Sequence, residues 1–324
     1  MPILVAPAPP PVFSQFPAEP TRISFGRDLG TAGPPVELSA WSDFADGIAS
    51  SGRVIQPGVL GLLMPSWEFF ADRSPAFDGE TIRGVRAQPR DVTVPIYLFG
   101  RDRTECLDQF AQLIYELNPQ HGLGVLTVTE PGGTSRSIEC YYKEGLEGVD
   151  DDDASGRTWM RAALVFHAPR PFWEGDPLTV SWALSQAAGT FLPILPLRVN
   201  ESAVLGAVIA RNLGNAIAFP QWTITGPASS PIVITNSTTG ESFTIAQSLA
   251  AGDTAVIDAR EGQKTAVSTG TSGTRNLWEW MDITTSELWG LTPGDNQVSL
   301  SIPGATSATR VTMLYKPRYL AAYG

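Results

Sequence analysis

A chain of 324 residues with 43% hydrophobic side chains is long enough for two cores of ordinary domain size. Its 33 acidic against 22 basic residues give a formal charge of −11 and a pI near 4.7, which excludes stable nucleic-acid binding, since neutralising phosphate needs basic surface. Lying beside nucleic acid without holding it is not excluded. With 31 glycines and 27 prolines the chain exceeds the usual shares of about 7% and 5%, which predicts many turns and short strands.

The N-terminal run MPILVAPAPPPVF has five prolines in its first eleven residues and no basic residue. It predicts an extended proline-rich arm over 1–20, with neither a signal peptide nor an apolar helix. No run approaches about 18 apolar residues, so no membrane insertion is expected. Residues 21–80 read as short strands, at 22–25 and 36–38, among long loops. Residues 82–99 read as a strand: Val92, Val94, Ile96 and Leu98 alternate with other residues, and Pro95 inside the run predicts an edge or a bulge.

Residues 102–118, DRTECLDQFAQLIYELN, form the one convincing amphipathic helix. Cys106, Phe110, Leu113, Ile114 and Leu117 share a face at a period of 3.6. Asp102 with Glu105 makes a capping box and Asn118-Pro119 a stop, for a length of roughly 25 Å. Strands at 124–129 and 137–142 around Pro131-Gly132-Gly133 read as a hairpin. A further strand over 159–166 leads to Pro169-Arg170-Pro171-Phe172-Trp173, where two prolines end the ladder. Beyond 178 there is no helix. Alternating runs at 221–225, 232–234, 243–245, 298–302 and 311–315, punctuated by Gly-containing turns, read as a sandwich or jelly roll.

Reactive chemistry is not indicated. His121 and His167, the only histidines, fall in no metal or catalytic spacing and read as turn or edge residues. No nucleophile elbow, phosphate loop or dinucleotide fingerprint is present, and nothing pairs two carboxylates across a cleft. Catalytic, cofactor and metal residues are each expected to be none. Cys106 and Cys140 suit buried thiols better than a disulfide or zinc site. The run Asp150, Asp151, Asp152 and Asp153 lacks a Ca²⁺-loop spacing and reads as a solvated loop. Negative walls along a DNA channel are the sharper reading of that run. Trp278, Trp280 and Trp289 crowd one region; core filling outweighs a sugar platform, and Trp278 and Trp280 would share a face in a strand. Asn236-Ser237-Thr238 matches a glycosylation sequon by pattern and is given no weight.

The order of these pieces resembles the siphophage distal tail proteins. In the first half the resemblance lies in the strand ending at Phe99, the single helix, the hairpin and the closing Pro169-Arg170-Pro171-Phe172-Trp173. In the second half it lies in Asn212-Leu213-Gly214-Asn215-Ala216 running to Pro220, Ile224-Thr225-Gly226-Pro227 and Ala251-Gly252-Asp253. Pro293-Gly294-Asp295-Asn296 and Tyr315-Lys316-Pro317-Arg318-Tyr319 continue it.

The resemblance implies a mainly β chain: an N-terminal β-sandwich-like ring domain with one α-helix over 1–177, and a C-terminal galectin-like β-sandwich over 178–324. It implies a structural virion protein at the distal tail tip, assembled in the host bacterial cytoplasm, and not an enzyme. Six copies would form a ring joining tail tube to tail-tip hub and letting DNA through. The partners implied are the chain itself, the tube protein, the hub or tail-associated protein and the tape measure protein. A carbohydrate-binding attachment role for the C-terminal sandwich, using Trp278 or Trp280, is the rival reading.

Overall fold

The computed structural model describes residues 21–26, 36–38, 52–73, 75, 78–147, 158–183, 204–271, 273–282 and 284–324. The proline-rich arm and Asp150 to Asp153 lie outside these residues. The chain divides into two compact units, one of residues 1–171 with 322–324 and one of residues 172–321.

The first unit contains β1 (Arg22–Gly26), β2 (Val36–Glu37), β3 (Gly52–Ile55), β4 (Trp67–Asp72), β5 (Thr81–Ala87), β6 (Arg90–Phe99), α1 (Arg103–Leu117), β7 (Gly124–Thr129), β8 (Ser135–Glu144) and β9 (Trp159–Ala168). Seven of the strands pair in the order β2-β1-β7-β8-β9-β6-β3, each pair antiparallel. β8 changes partner along its length: Ser135 to Cys140 pair with β7, and from Tyr141 onward it pairs with β9, with a register shift between Tyr142 and Glu144. A strand that switches partners at an irregularity turns a corner between layers. Phe25 of β1 and Phe166 of β9 stack with ring centroids 5.3 Å apart, and both are buried. Gly124 is required there, because a Cβ would fall inside the Phe25 ring.

Strand β6 runs between β9 and β3, so Pro95 sits inside the sheet and not at the predicted edge or bulge. The ladder with β3 ends at Ile55 opposite Ile96, one residue before the proline. The Pro95 carbonyl accepts from Gln56 N at 2.8 Å, and pairing resumes at the Leu60–Thr93 bridge. The missing N–H thus falls where the neighbouring chain leaves the ladder, and the cost of an internal proline is avoided.

Helix α1 lies against β6 and β9. The Asp102 side chain caps it by accepting from Glu105 N at 2.8 Å, and Asn118 ends it. Glu105 reaches back to Arg101 N at 2.8 Å, one residue beyond the expected capping-box partner. Cys106, Leu113 and Leu117 are buried and Phe110 is half-buried, as the periodicity predicts. Ile114 is exposed, against expectation. At about 100° per residue it lies some 70° around the helix from the centre of the buried set, beyond the strip that one sheet covers.

The second unit contains β10 (Trp173–Glu174), β11 (Leu178–Ala183), β12 (Val204–Asn212), β13 (Gln221–Thr225), β14 (Ile232–Asn236), β15 (Glu241–Ile245), β16 (Thr254–Asp258), β17 (Thr265–Gly270), β18 (Gly273–Asn276), β19 (Gly294–Ser301), β20 (Arg310–Tyr315) and β21 (Arg318–Tyr319). One antiparallel sheet runs β11-β20-β13-β16-β17-β18 and the other β12-β19-β14-β15. Period-2 alternation supplies one core from both sheets: Trp222 and Ile224, Val311 and Met313 from the first, Ile232 and Ile234, Val298 and Leu300 from the second. Trp222 is its centre, stacked on Trp182 at 5.6 Å and edge-on to Trp289 at 5.5 Å. The sandwich reading of this half holds.

Candidate assembly surfaces

The motif-bearing loops of the second unit are held by buried amides. Asn212 donates through Nδ2 to the carbonyls of Ala216 and Leu291, both at 2.9 Å, and its Oδ1 accepts from Gly214 N at 2.9 Å. Its neighbours Asn215 and Ala216 donate their N–H groups to Arg318 O at 3.0 Å. Gly214 packs so closely on the Arg318 backbone that a side chain there would collide with it. Arg318 in turn lies 4.2 Å over the Phe172 ring and 5.4 Å over Phe219, and donates to Ile217 O at 3.0 Å. Lys316 pairs with Glu174 at 2.9 Å, and Tyr315 donates its hydroxyl to Arg211 O at 2.8 Å. The motifs near 172, 212 and 316 are therefore parts of one polar and aromatic clasp.

Asn296 staples the turn before β19. Its Oδ1 accepts from Thr292 N and Thr292 Oγ1, each at 3.0 Å, and from Asn236 Nδ2 at 3.3 Å; its Nδ2 donates to Thr292 O at 2.7 Å. Both asparagines are fully buried, so the sequon position Asn236 is an interior residue. Gly294 in that turn has φ +94°, a left-handed conformation suited to glycine.

The residues weighed for chemistry are spread apart. His121 ends a 3-10 turn and meets the Tyr115 ring edge-on at 5.1 Å. Cys106 and Cys140 are buried thiols that form no disulfide. Trp289 belongs to the core. Trp278 and Trp280 sit in a 3-10 turn, Leu277–Trp280, not in a strand. At about 120° per residue they point to different sides, so they form no shared flat platform, and both pack half-buried against the core. Among the described residues no three His, Cys, Asp or Glu side chains gather as metal ligands.

One polar cluster in the first unit could not be read from spacing, because its members lie far apart in sequence. His167 Nδ1 and Asp91 Oδ1 are 2.7 Å apart, and Lys143 Nζ lies 2.8 Å from Asp91 Oδ2. The Lys143 hydrogen bond holds the Asp91 carboxyl below its usual range, opposed by partial burial and aided by His167. These groups edge an open groove of about 790 Å³ with Met64, Gln88 and Tyr141. Beside it, Arg90 donates to Gly61 O at 3.1 Å and Leu63 O at 2.6 Å, and burial pulls its pKa down to about 10. The cluster is an ion-paired wall with its charges matched. It presents no nucleophile held against a base.

What the first unit does present is apolar surface. All the exposed large apolar side chains among the described residues belong to it, apart from Ile209, Leu213, Ile217 and Leu314. The ribbon formed by β4 and β5, a two-stranded sheet of its own, carries several of them. The sequence reading carried one strand from 82 to 99; the structure splits it into β5 and β6 and pairs β5 with β4, a ribbon that the reading missed.

Among the described residues the chain is mainly antiparallel β with one α-helix, and its second unit is a two-sheet sandwich. Residues 213–319 match the family model of the siphovirus-type tail component, C-terminal domain. The crystal structure of SPP1 Dit (gp 19.1), described as a paradigm of the hub adsorption apparatus in phages infecting Gram-positive hosts, is similar over 93% of this chain and 99% of that one. Its TM-score is 0.61 at 14% identity. The phage P2 baseplate in its activated conformation with Ca aligns over 91% of this chain and 97% of that one, at TM-score 0.48 and 8% identity. The same baseplate with Sr gives 0.46 and 9%, with the same coverage. No curated protein sequence matches. The chain thus shares the fold of SPP1 Dit along nearly its whole length, and residues 213–319 are similar to the siphovirus-type tail component domain.

Proposed function

We propose that this chain is a structural protein of a long non-contractile phage tail, located at the distal tip of the virion. Six copies form a ring that joins the tail tube to the tail-tip hub or baseplate and lets DNA pass. The first unit builds the ring, and the second, a galectin-like sandwich, stands as an outer module. The observation that carries this reading is the distal-tail-protein fold spanning both units. The apolar surface of the first unit supports it, because such surface on a folded unit calls for a partner.

Joining is a task for surfaces. A head-to-tail contact whose rotation closes gives a ring, and six copies of 34.7 kDa come to about 208 kDa. The net charge of −11 suits a wall that DNA slides past, since like charge discourages sticking. Contacts with the tube, hub and tape measure proteins belong to the same proposal.

Mass photometry of the purified chain tests it: a species near 208 kDa is expected, and a monomer at micromolar concentration overturns the ring. Gold-labelled antibody on virions tests the place. Label at the tail tip is expected, and label absent from virions refutes the assignment.

A further inference from the structure

The β4–β5 ribbon has two unlike faces. On one, Glu68 pairs with Arg86 and Asp72 with Arg83, each at 2.7 Å, and Arg86 lies 5.5 Å over the Phe70 ring. The register puts Trp67, Phe69 and Ala71 of β4 on the other face, opposite Ala87, Val85 and, past the bulge between Phe70 and Ala71, Ile82. Trp67, Phe69, Ile82 and Val85 are between 37% and 57% exposed. An isolated two-stranded ribbon is marginal in water, and a bare apolar face makes it more so.

A second bare patch exists on the same unit. Leu107, Ala111, Ile114 and Tyr115 follow at i, i+4, i+7 and i+8 along α1 and are all exposed, on the flank that the sheet leaves uncovered.

Resting on the ring reading above, we infer that the apolar face of the ribbon docks on the α1 flank of the next copy of this chain. Both patches are open within one copy, so the ribbon does not cover its own helix. Two different patches that meet between copies make a heterologous contact, the kind that propagates around a ring. From the fractional exposures, the two patches together offer roughly 700 Å² of apolar surface. With a polar rim that reaches the about 1,000 Å² expected of a specific interface. The charged face, whose ion pairs are already made within the ribbon, stays in water.

The test uses the full chain, in which Cys106 and Cys140 are buried. Phe69→Cys and Ile114→Cys variants, each tagged to a different mass, are mixed under conditions that exchange subunits and treated with a short bismaleimide. The expected product joins one variant to the other. In the Phe69→Cys/Ile114→Cys double variant a ladder up to six copies is expected. A ring near 208 kDa with no mixed cross-link overturns this inference and leaves the ring reading intact. Cross-links only between two Phe69→Cys chains mark a two-fold contact and also overturn it. Absence of any ring removes both.

Phe69→Asp/Val85→Asp supplies a second measurement. The ring fraction at fixed concentration should fall at least tenfold, with the monomer's melting temperature and circular dichroism unchanged. An unaltered ring fraction overturns the inference.

Discussion

Asn296 offers a sharp test of how the second unit is held together, because its five polar contacts can be separated by who else can satisfy them. In Asn296→Ala, Gly294 O is exposed and turns to water, while Thr292 is half-buried and partly recovers. Asn236 Nδ2 cannot, since Asn236 is fully buried and loses its Asn296 Oδ1 acceptor. One buried orphan costs about 1–3 kcal/mol and two further lost hydrogen bonds about 1 kcal/mol each, so about 3–5 kcal/mol is expected. For a unit of this size that is a fall in Tm of about 6–20 °C. Tryptophan fluorescence reports the transition, because Trp182, Trp222 and Trp289 all lie in the core of that unit. The double variant Asn236→Ala/Asn296→Ala removes donor and acceptor together and should cost at least about 1 kcal/mol less than the sum of the single changes. A single-variant Tm within about 2 °C of the parent, or strict additivity, would refute the account of these amides as a mutual staple.

Three more outcomes follow from the geometry. Gly124→Ala drives a methyl into the Phe25 ring and should lower the stability of the first unit by about 1–3 kcal/mol; chemical denaturation checks it. Arg90→Met leaves the carbonyls of Gly61 and Leu63 without their donor, so amides 60–66 should exchange hydrogen faster and protease should cut there. At Asp258, burial raises the carboxyl pKa, but the hydrogen bonds and charge of Arg260 outweigh it and hold the group below its usual range. Its contribution is therefore present above the ordinary carboxylate range and lost as pH falls through the lowered value. Asp258→Asn should flatten the loss of Tm below about pH 4 relative to the parent.

The parts of the fold legible in the sequence are those where local pattern and burial agree. Alternation in β6, β13, β14, β19 and β20 reports one face against a core, and the Asp102 cap with the Asn118 stop bounds α1. Pro95 misled because its cost depends on where a distant strand ends, which no local signal carries. Trp278 and Trp280 pack against the core, as core filling predicts, but from a 3-10 turn capped by Asn276 and not from a strand. The β4–β5 ribbon was invisible for a different reason. Its bulge breaks the alternation in register, and its apolar residues face no core within the chain, so nothing marked WEFFAD and TIRGVRA as partners. The hydrogen bond between Asp91 and His167 spans 76 residues and likewise needs the fold to be seen.

The two units differ in how completely they satisfy themselves, and this bears on where assembly resides. The second unit closes one core with both sheets, buries four tryptophans (Trp173, Trp182, Trp222 and Trp289), and ties its loops with buried asparagines. Among the described residues it leaves few large apolar side chains in water. The first unit has a well-filled core as well, from Ile23 and Phe25 through Val92 to Leu98 and on to Phe166. Yet it exposes a ribbon face and a helix flank that its own core does not use. Surface burial is the main favourable term in association, and a unit that has already buried all it can has little left to gain from a neighbour. If a ring forms, its driving force must come chiefly from the first unit. Deleting the ribbon, residues 67–87, in favour of a short glycine-containing turn should then abolish the ring while the melting transition of the second unit stays where it was. A ring that survives the deletion would move the contact elsewhere.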